Sequence, residues 1–331
     1  MSDMSYYLLK SGELKRKDNN ITMLAGDGVK KDLKIEATRD IYIFNEVTMN
    51  TKILNYLGQN SIPMHIFNYY GFYSGSFYPR ESLISGDLLV KQVDHYKDPE
   101  KRIEIAKEIL KAASYNIHRN LRYYKERGRK IGDKIEEVDY FRQRMDSCLD
   151  VQELMGIEGN VRRAYYSAWN DIVNQEINFE KRVKRPPDNM INTLISFVNT
   201  LIYTTVLTEL YKTQLNPTIS FLHETGTRRF SLSLDIAEIF KPLIGDRLIF
   251  SLLNRNEISE KDFEKESNFY YLKDKGRLKI LKEYDERLNA TINHKGLKRK
   301  VSYRHLIRLE AYKLIKHING EKPYNGFKIW W

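Results

Sequence analysis

The chain has 331 residues, of which 41% are hydrophobic and 30% are charged, so it is long and apolar enough to bury one large core or two ordinary ones. Lysine and arginine outnumber aspartate and glutamate by 55 to 44. The resulting formal charge of +11 favours an anionic partner, of which nucleic acid is the usual one. Cys148 is the only cysteine, which excludes an intramolecular disulfide and a cysteine-based zinc site and favours a reducing, cytoplasmic location.

Neither a targeting segment nor a membrane span is expected. Residues 1–10 lack the positive start and apolar core of a signal peptide. The most apolar window, Leu194–Leu210, is interrupted by Ser196, Asn199, four threonines and Glu209. This favours a buried helix over a membrane span, which needs about 20 apolar residues. We therefore expect a soluble protein without membrane contact.

The first part of the chain, to about Tyr78, has the short apolar and β-branched runs that are typical of β-strands. Turn sequences at 18–20 and 26–28 predict hairpins between some of these runs. One short helix is predicted at Thr51–Leu57. The predicted strands are Met4–Lys10, Glu13–Lys17, Ile21–Leu24, Leu33–Glu36, Ile41–Phe44, Ile62–Phe67 and Gly71–Tyr73.

From about Gly86, apolar side chains recur every third or fourth residue, which predicts helices. Asp98 followed by Pro99 is a favourable helix start, and Pro242 predicts a kink or break in a later helix. Further helices are predicted at Val138–Leu149, Asn160–Val173, Asn189–Lys212, Leu234–Leu253 and Lys300–His317. The predicted fold class is α+β: a small N-terminal strand-rich domain (residues 1–82), a linker at about 79–98, and a larger all-α domain (residues 83–331).

Four side chains form the candidate chemical site. Glu158 lies between two glycines, which would permit close backbone approach at a helix entrance, and His223 ends an apolar run. Asp235 and Glu238 are three residues apart, so on a helix they share a face. Carboxylates with one imidazole form an open site for Mg²⁺ or Mn²⁺, and in a basic chain such a site indicates phosphodiester chemistry on nucleic acid. The alternative, acids that stabilise a helix N-terminus and a structural histidine, stays open.

Other sites can be excluded or remain ambiguous. His223-Glu224 begins like a zinc-protease helix, but the second histidine would fall at Thr227. No phosphate loop ending in Gly-Lys-Ser/Thr and no Gly-x-Ser-x-Gly elbow is present. The basic segments Tyr115–Lys130 and Lys298–His317 could bind phosphates, or they could be solvated helix faces.

Four motifs, in order and at matching spacing, resemble those of the CRISPR spacer-acquisition integrases, the first of the numbered CRISPR-associated proteins. The first two are Gly156–Asn160 followed by Tyr165-Tyr166, and Pro187–Asn192. The last two are Asn216–Glu224, and Leu234–Pro242 followed by Asp246-Arg247. The chain departs from the family pattern where Glu238 replaces a frequent aspartate and Lys241 a frequent arginine.

The resemblance implies a metal-dependent DNA endonuclease and transesterase that inserts foreign DNA spacers into the CRISPR array. The nucleophile would be the spacer's own 3′-hydroxyl. Glu158, His223 and Glu238 would hold Mg²⁺ or Mn²⁺, with Asp235 as a supporting acid or second-ion ligand. The remaining alternatives are a generic metal-dependent nuclease acting on branched DNA or RNA and a non-catalytic basic DNA-binding module.

The resemblance also implies partners. These are double-stranded spacer precursor and CRISPR repeat DNA, a second copy of the chain bound through the β-domain, and the second numbered CRISPR-associated protein as a bridging dimer. Expected DNA contacts are Arg162, Tyr165, Lys298, Arg299, Lys300 and Arg304.

Overall fold

A computed structural model describes residues 4–177, 179–184, 186–226, 230–267 and 269–330. The outermost ends of the two predicted domains, residues 1–3 and 331, lie outside these ranges. The strands are β1 (Met4–Leu8), β2 (Gly12–Lys17), β3 (Asn20–Ala25), β4 (Lys30–Lys34), β5 (Thr38–Ile43), β6 (Val47–Thr48), β7 (Met64–Phe67), β8 (Tyr73–Phe77), β9 (Phe263–Glu266), β10 (Phe269–Leu272), β11 (Thr291–His294) and β12 (Arg299–Ser302). The helices are α1 (Thr51–Gln59), α2 (Gly86–Lys97), α3 (Pro99–Lys125), α4 (Gly132–Gln143), α5 (Val151–Ser167), α6 (Trp169–Ile172), α7 (Met190–Tyr211), α8 (Ser231–Phe240), α9 (Arg247–Asn254), α10 (Asp274–Asn289) and α11 (Tyr303–Ile318).

The N-terminal strands form two four-stranded sheets with the orders β1-β5-β7-β8 and β4-β3-β2-β6. In the first sheet β5 is central and pairs parallel with both β1 and β7. Its side chains alternate between two cores, because Ile41 and Ile43 pack toward the second sheet and Tyr42 packs toward the helices. Burial of both faces explains the continuous apolar run of this strand.

The predicted strand-rich region followed by a helical region is confirmed, and several boundaries move. The strand predicted at Leu33–Glu36 ends at Lys34, and a short 3₁₀ turn follows it. The strand predicted at Gly71–Tyr73 begins only at Tyr73, because Gly71 has a φ of 85° in the preceding turn. The helix predicted at Thr51–Leu57 is confirmed as α1.

Helix α3 begins as predicted. The Asp98 side chain accepts hydrogen bonds from the amides of Glu100 and Lys101, and Pro99 occupies the first turn, where its missing N–H costs nothing. The helix has 27 residues and packs against α4, α5 and α8, so it is a central support of the helical region. Helix α5 begins at Val151, earlier than predicted, because Asp150 caps it by accepting from the amide of Glu153 at 2.8 Å.

Other helical predictions need correction. The segment predicted as Val138–Leu149 is the end of α4 plus a 3₁₀ turn, and the one predicted as Asn160–Val173 divides at Ala168 into α5 and α6. The segment predicted as Lys300–His317 begins in β12, and Ser302 caps α11. The larger region is therefore not purely helical, since it contains the hairpins β9–β10 and β11–β12.

Helices α7 and α8–α9 form the interior. Helix α7, predicted at Asn189–Lys212, is long and apolar enough to cross a membrane by composition, but 83% of its most apolar window is buried inside the fold, as predicted for a core helix. The break predicted at Pro242 is realised as a π-helical segment, Lys241–Asp246, between α8 and α9. This wider turn carries Asp246 to a position 2% exposed.

A buried ionic network joins the first sheet to the helices. The Glu209 carboxylate on α7 is fully buried and accepts from Arg39 of β5 at 2.8 Å and from Arg308 of α11 at 2.6 Å. Such a group is costly to desolvate, and the two guanidinium groups compensate for that cost. The network therefore holds the β-sheet against the helical region.

Glu209→Gln should lower the free energy of unfolding by about 3 kcal/mol or more, because two largely buried arginines lose their counter-ion. Chemical denaturation measures the change. The matched control is Glu257→Gln, which loses an exposed ion pair with Arg255 and should cost less than about 1 kcal/mol. Equal shifts in both variants would show that the network does not hold the two regions together.

Candidate active site

Asp235 fixes the position of His223. The Asp235 carboxylate on α8 is fully buried and accepts from the backbone amides of Phe221 at 2.6 Å, Leu222 at 2.9 Å and His223 at 2.9 Å. Its fourth hydrogen bond joins Oδ1 to Nδ1 of the His223 ring at 2.8 Å. Four hydrogen bonds use about all the acceptor sites of a carboxylate. The arrangement therefore favours a supporting role for Asp235 over a role as ligand of a second ion.

The hydrogen bond from Nδ1 to Asp235 orients the His223 ring and leaves the other ring nitrogen, Nε2, available to a ligand. Because a carboxylate only accepts, Nδ1–H donates to Asp235. Nε2 makes no hydrogen bond to any residue that the structure describes, and the side chain is 21% exposed. Burial lowers the pKa of the His223 imidazole, but the hydrogen bond and charge of Asp235 and the charge of Glu238 outweigh it, so the pKa is raised above its ordinary value. The neutral ring can offer Nε2 to a metal ion.

Glu158 and Glu238 come together across one guanidinium group. Arg162 Nε donates to Glu158 Oε1 at 3.0 Å, and Arg162 Nη2 donates to Glu238 Oε2. Lys241 Nζ donates to the other oxygen of Glu238. Burial raises the pKa of the Glu238 carboxyl, but the charges of Lys241, Arg162 and His223 lower it more, so Glu238 remains ionised. The two predicted acids therefore meet, and a cationic side chain lies between them.

The side chains proposed as ligands have suitable donor atoms for a divalent cation, but they are not arranged as a complete metal site. Among the ranges described above, no three acids, histidines or cysteines are already arranged to hold a metal ion. The donor set, two carboxylates and one imidazole, nonetheless has the chemistry that Mg²⁺ or Mn²⁺ requires. The guanidinium between Glu158 and Glu238 also shows that this position accommodates positive charge. That Glu158, His223 and Glu238 share one ion stays a prediction.

Two further charged residues, Lys184 and Asp246, lie beside the acids. Burial lowers the pKa of Lys184, with help from the charges of Lys241 and Arg182, while the charges of Glu158 and Glu238 oppose this effect. Lys184 makes no ion pair or hydrogen bond to the part of the chain that the structure describes. The site therefore has positive charge available for an anionic substrate.

Asp246 is a further acid of this cluster, and no role in the site was predicted for it from the sequence. Burial raises the pKa of Asp246 to about 7, although the charge of Arg162 and a hydrogen bond from Tyr165 lower it. Its Oδ2 atom is buried and has no hydrogen-bond partner among the described residues. A buried carboxylate oxygen without a donor is rare.

The structure corrects the expected DNA contacts at Tyr165 and Arg304. Tyr165 is fully buried against Trp169 and accepts a hydrogen bond from Asn120 at 3.2 Å, so it cannot contact DNA. Arg304 is 2% exposed and its charge is held by Asp40 at 3.7 Å and by an aspartate of α10 at 3.3 Å. Both expectations are wrong for the same reason, since sequence alone did not show that these side chains are buried.

The remaining expectations have mixed outcomes. Lys298, Arg299 and Lys300 lie exposed on the β11–β12 hairpin, so they remain candidates for DNA contact. Arg162 instead holds the two acids. Glu158 lies in the middle of α5. A Cβ atom added at Gly156 or Gly159 would meet open space. The prediction that these glycines permit close backbone approach at a helix entrance is therefore wrong.

Helical spacing could have identified the cations of the site. Arg162 is four residues after Glu158, and Lys241 is three residues after Glu238. Both are ordinary spacings for ion pairs on one helix. The pairing of Arg162 with Glu238, 76 residues away, had no such signal.

Asp235→Asn should lower the pKa of His223, because burial remains while the charge and the strong acceptor are lost. In the unchanged protein the raised pKa contributes stability that is fully present below the unfolded value of about 6.5. This contribution disappears as the pH rises through the pKa of His223 in the folded protein, and the variant should lack this contribution. NMR titration of the histidine rings and stability measured against pH test both parts.

The matched control for this experiment is Asp139→Asn, which removes the acid 3.1 Å from His118 and should not change the titration of His223. An unchanged His223 pKa in Asp235→Asn would contradict the hydrogen-bond assignment.

Comparison with known proteins gives relatives of the whole chain. A sequence model described as CRISPR associated protein Cas1 matches residues 6–286. The chain is 58% identical over 327 residues to the CRISPR-associated endonuclease Cas1 of Fusobacterium nucleatum subsp. nucleatum, a match that covers 99% of this chain and 97% of that protein. A Cas1 protein from Thermotoga maritima has a similar structure, with a TM-score of 0.88, 43% identity and coverage of 98% of this chain and 100% of that one.

A more distant structure shares the fold. One chain of a Cas6-RT-Cas1–Cas2 complex matches with a TM-score of 0.87 at 17% identity, covering 100% of this chain and 36% of that one.

Proposed function

The chain belongs to the Cas1 family of CRISPR-associated proteins, and from that premise we propose that it is a metal-dependent DNA endonuclease and integrase. It would join foreign double-stranded DNA to the repeat of a CRISPR array. The observation that carries the proposal is the meeting of Glu158 and Glu238 around one positive charge, beside a histidine that Asp235 holds in place. The endonuclease name of the Fusobacterium relative supports the same reaction class.

Glu158, Glu238 and His223 Nε2 would hold Mg²⁺ or Mn²⁺. When bound, the ion supplies Lewis-acid stabilisation of the negative charge that develops on the attacking and leaving oxygens of a phosphodiester. Asp235 keeps the proton of His223 on Nδ1, so Nε2 remains free of a proton in the neutral ring.

Positive side chains would position the substrate phosphate. Lys184 lies beside the acids without an ion pair to any residue in the described ranges, and Lys241 donates to Glu238. An ammonium group binds phosphate as a compact point charge with three donors. The 3′-hydroxyl of the incoming DNA would be the nucleophile, so the chain does not need to provide one. Water in its place would give cleavage.

The partners follow from the family and the fold. A second copy of the chain would bind through the N-terminal β-domain. The neighbouring structure of a Cas6-RT-Cas1–Cas2 complex supports Cas2 as a partner. Cas2 would act as a bridging dimer. Both substrates, spacer precursor and repeat, would be duplex DNA, which suits the formal charge of +11.

Glu158→Ala and His223→Ala should each reduce strand transfer at least about 100-fold, because each removes a ligand of the ion that stabilises the transition state. Binding of duplex DNA should remain. EDTA should have the same effect on the unchanged protein. Gel assays with 3′-hydroxyl and 3′-blocked DNA measure the joined product.

Glu153→Gln is the matched control for these variants. It lies on α5 but hydrogen-bonds to the amide of Leu149 and should retain activity. Strand transfer that persists in both alanine variants would contradict the proposed catalytic site and favour the alternative of a DNA-binding module. Equal product from blocked and unblocked ends would leave only a nuclease.

Replacing Lys298, Arg299 and Lys300 together by alanine should weaken duplex binding. It should also reduce the slope of log K against log salt by about 0.9 for each phosphate that the variant no longer neutralises. Fluorescence anisotropy at several salt concentrations measures both. The control is the alanine triple variant of Lys17, Lys30 and Lys34, exposed lysines of the N-terminal sheet whose replacement removes the same total charge. Equal losses of affinity in the two variants would indicate a general charge effect and exclude a specific contact at the hairpin.

A further inference from the structure

The guanidinium group of Arg162 lies between the two carboxylates that would hold the proposed metal ion. It donates to Glu158 through one nitrogen and to Glu238 through another. A divalent ion that binds both carboxylates would meet a full positive charge at contact distance. Arg162 and the ion would therefore compete for the same two carboxylates.

Arg162 cannot simply turn into solvent when it leaves the acids. Its side chain, on α5, is only 12% exposed. A buried arginine without a counter-ion is strongly unfavourable. Metal binding at this site therefore requires a second buried acceptor within reach of the same side chain.

Asp246 has the properties of that acceptor. It is 2% exposed on the π-helical segment, and its Oδ2 atom has no hydrogen-bond partner among the described residues. The charge of each group shifts the pKa of the other, so Asp246 and Arg162 belong to one buried cluster, in which Tyr165 also hydrogen-bonds to Asp246. Asp246 therefore has one acceptor oxygen that no described donor uses, in the same buried cluster as Arg162.

We infer that Arg162 is an internal counter-ion of the metal site, and that it transfers from Glu158 and Glu238 to Asp246 when a divalent cation binds. The inference rests on the proposed metal site. In one state the guanidinium neutralises the two acids, and in the other the metal ion does so while Arg162 pairs with Asp246. After the transfer Arg162 and Asp246 have each other as partners, whereas before it the Oδ2 atom of Asp246 has no hydrogen-bond partner among the described residues, so the two arrangements are the alternatives of a two-state element.

The transfer makes Arg162 and Asp246 energetically coupled in metal binding. Removing the competing charge should favour the ion, whereas removing the receiving acid should disfavour it. A purely structural ion pair would not give opposite effects. Neither residue needs to contact the substrate for this coupling to exist.

The test is the dissociation constant for Mn²⁺, measured with the full chain by the EPR signal of free Mn²⁺. Arg162→Gln should bind Mn²⁺ about tenfold more tightly or better, and Asp246→Asn should bind it more weakly. In the Arg162→Gln background, Asp246→Asn should not change the Kd for Mn²⁺ further, because no guanidinium group remains for Asp246 to bind. The matched control is Arg163→Gln, since Arg163 is the next residue of α5 and pairs with Asn160 instead of the acids.

A Kd unchanged or raised in Arg162→Gln, or equal effects of Asp246→Asn in both backgrounds, would overturn the transfer while leaving the metal site intact. Mn²⁺ binding that is absent, or unaffected by Glu158→Ala, would overturn the metal site as well. Should Arg162→Gln fail to fold, crystals of the unchanged protein soaked in Mn²⁺ decide the matter. Arg162 on Asp246 supports the inference, and Arg162 still on Glu158 and Glu238 contradicts it.

Discussion

Two carboxylates buried on one turn of α8 position the loop of His223 and the side chain of Arg162. Asp235 is 0% exposed and Glu238 is 5% exposed, so each must find donors within the protein. Asp235 finds the amides of residues 221–223 and thereby shapes the loop that carries His223. Glu238 accepts a hydrogen bond from Arg162 of α5, which also donates to Glu158, so one guanidinium group links the two acids. Burial of charge thus assembles a site from three distant parts of the chain.

The same principle operates where the β-sheet meets the helices. Glu209 on α7 is held by one arginine from β5 and another from α11, so the sheet and the helical region share buried charges as well as apolar contacts. The proposed dimer would bind through this β-domain, and a firm connection would fix the distance between two catalytic centres.

The sequence predicted what depends on local pattern. The strand-to-helix order, the Asp98 start of α3, the buried helix α7 and the break at Pro242 all follow from spacing or from proline geometry. The four site residues came from residue type and spacing, and then from motif resemblance. Their partners across the fold did not, because the pairing of Glu238 with Arg162 depends on how α5 packs near α8. For the same reason the burial of Arg304, which looked like one more surface cation, could not be predicted.

The central claim is that Glu158, Glu238 and the His223 ring bind one ion together. Electron–nuclear double resonance of Mn²⁺ bound to ¹⁵N-histidine-labelled protein tests it most directly, because a directly bound imidazole nitrogen gives a resolved coupling. We predict one such coupling, which should disappear in His223→Gln. A spectrum in which Mn²⁺ shows only water protons and no histidine nitrogen would contradict the account.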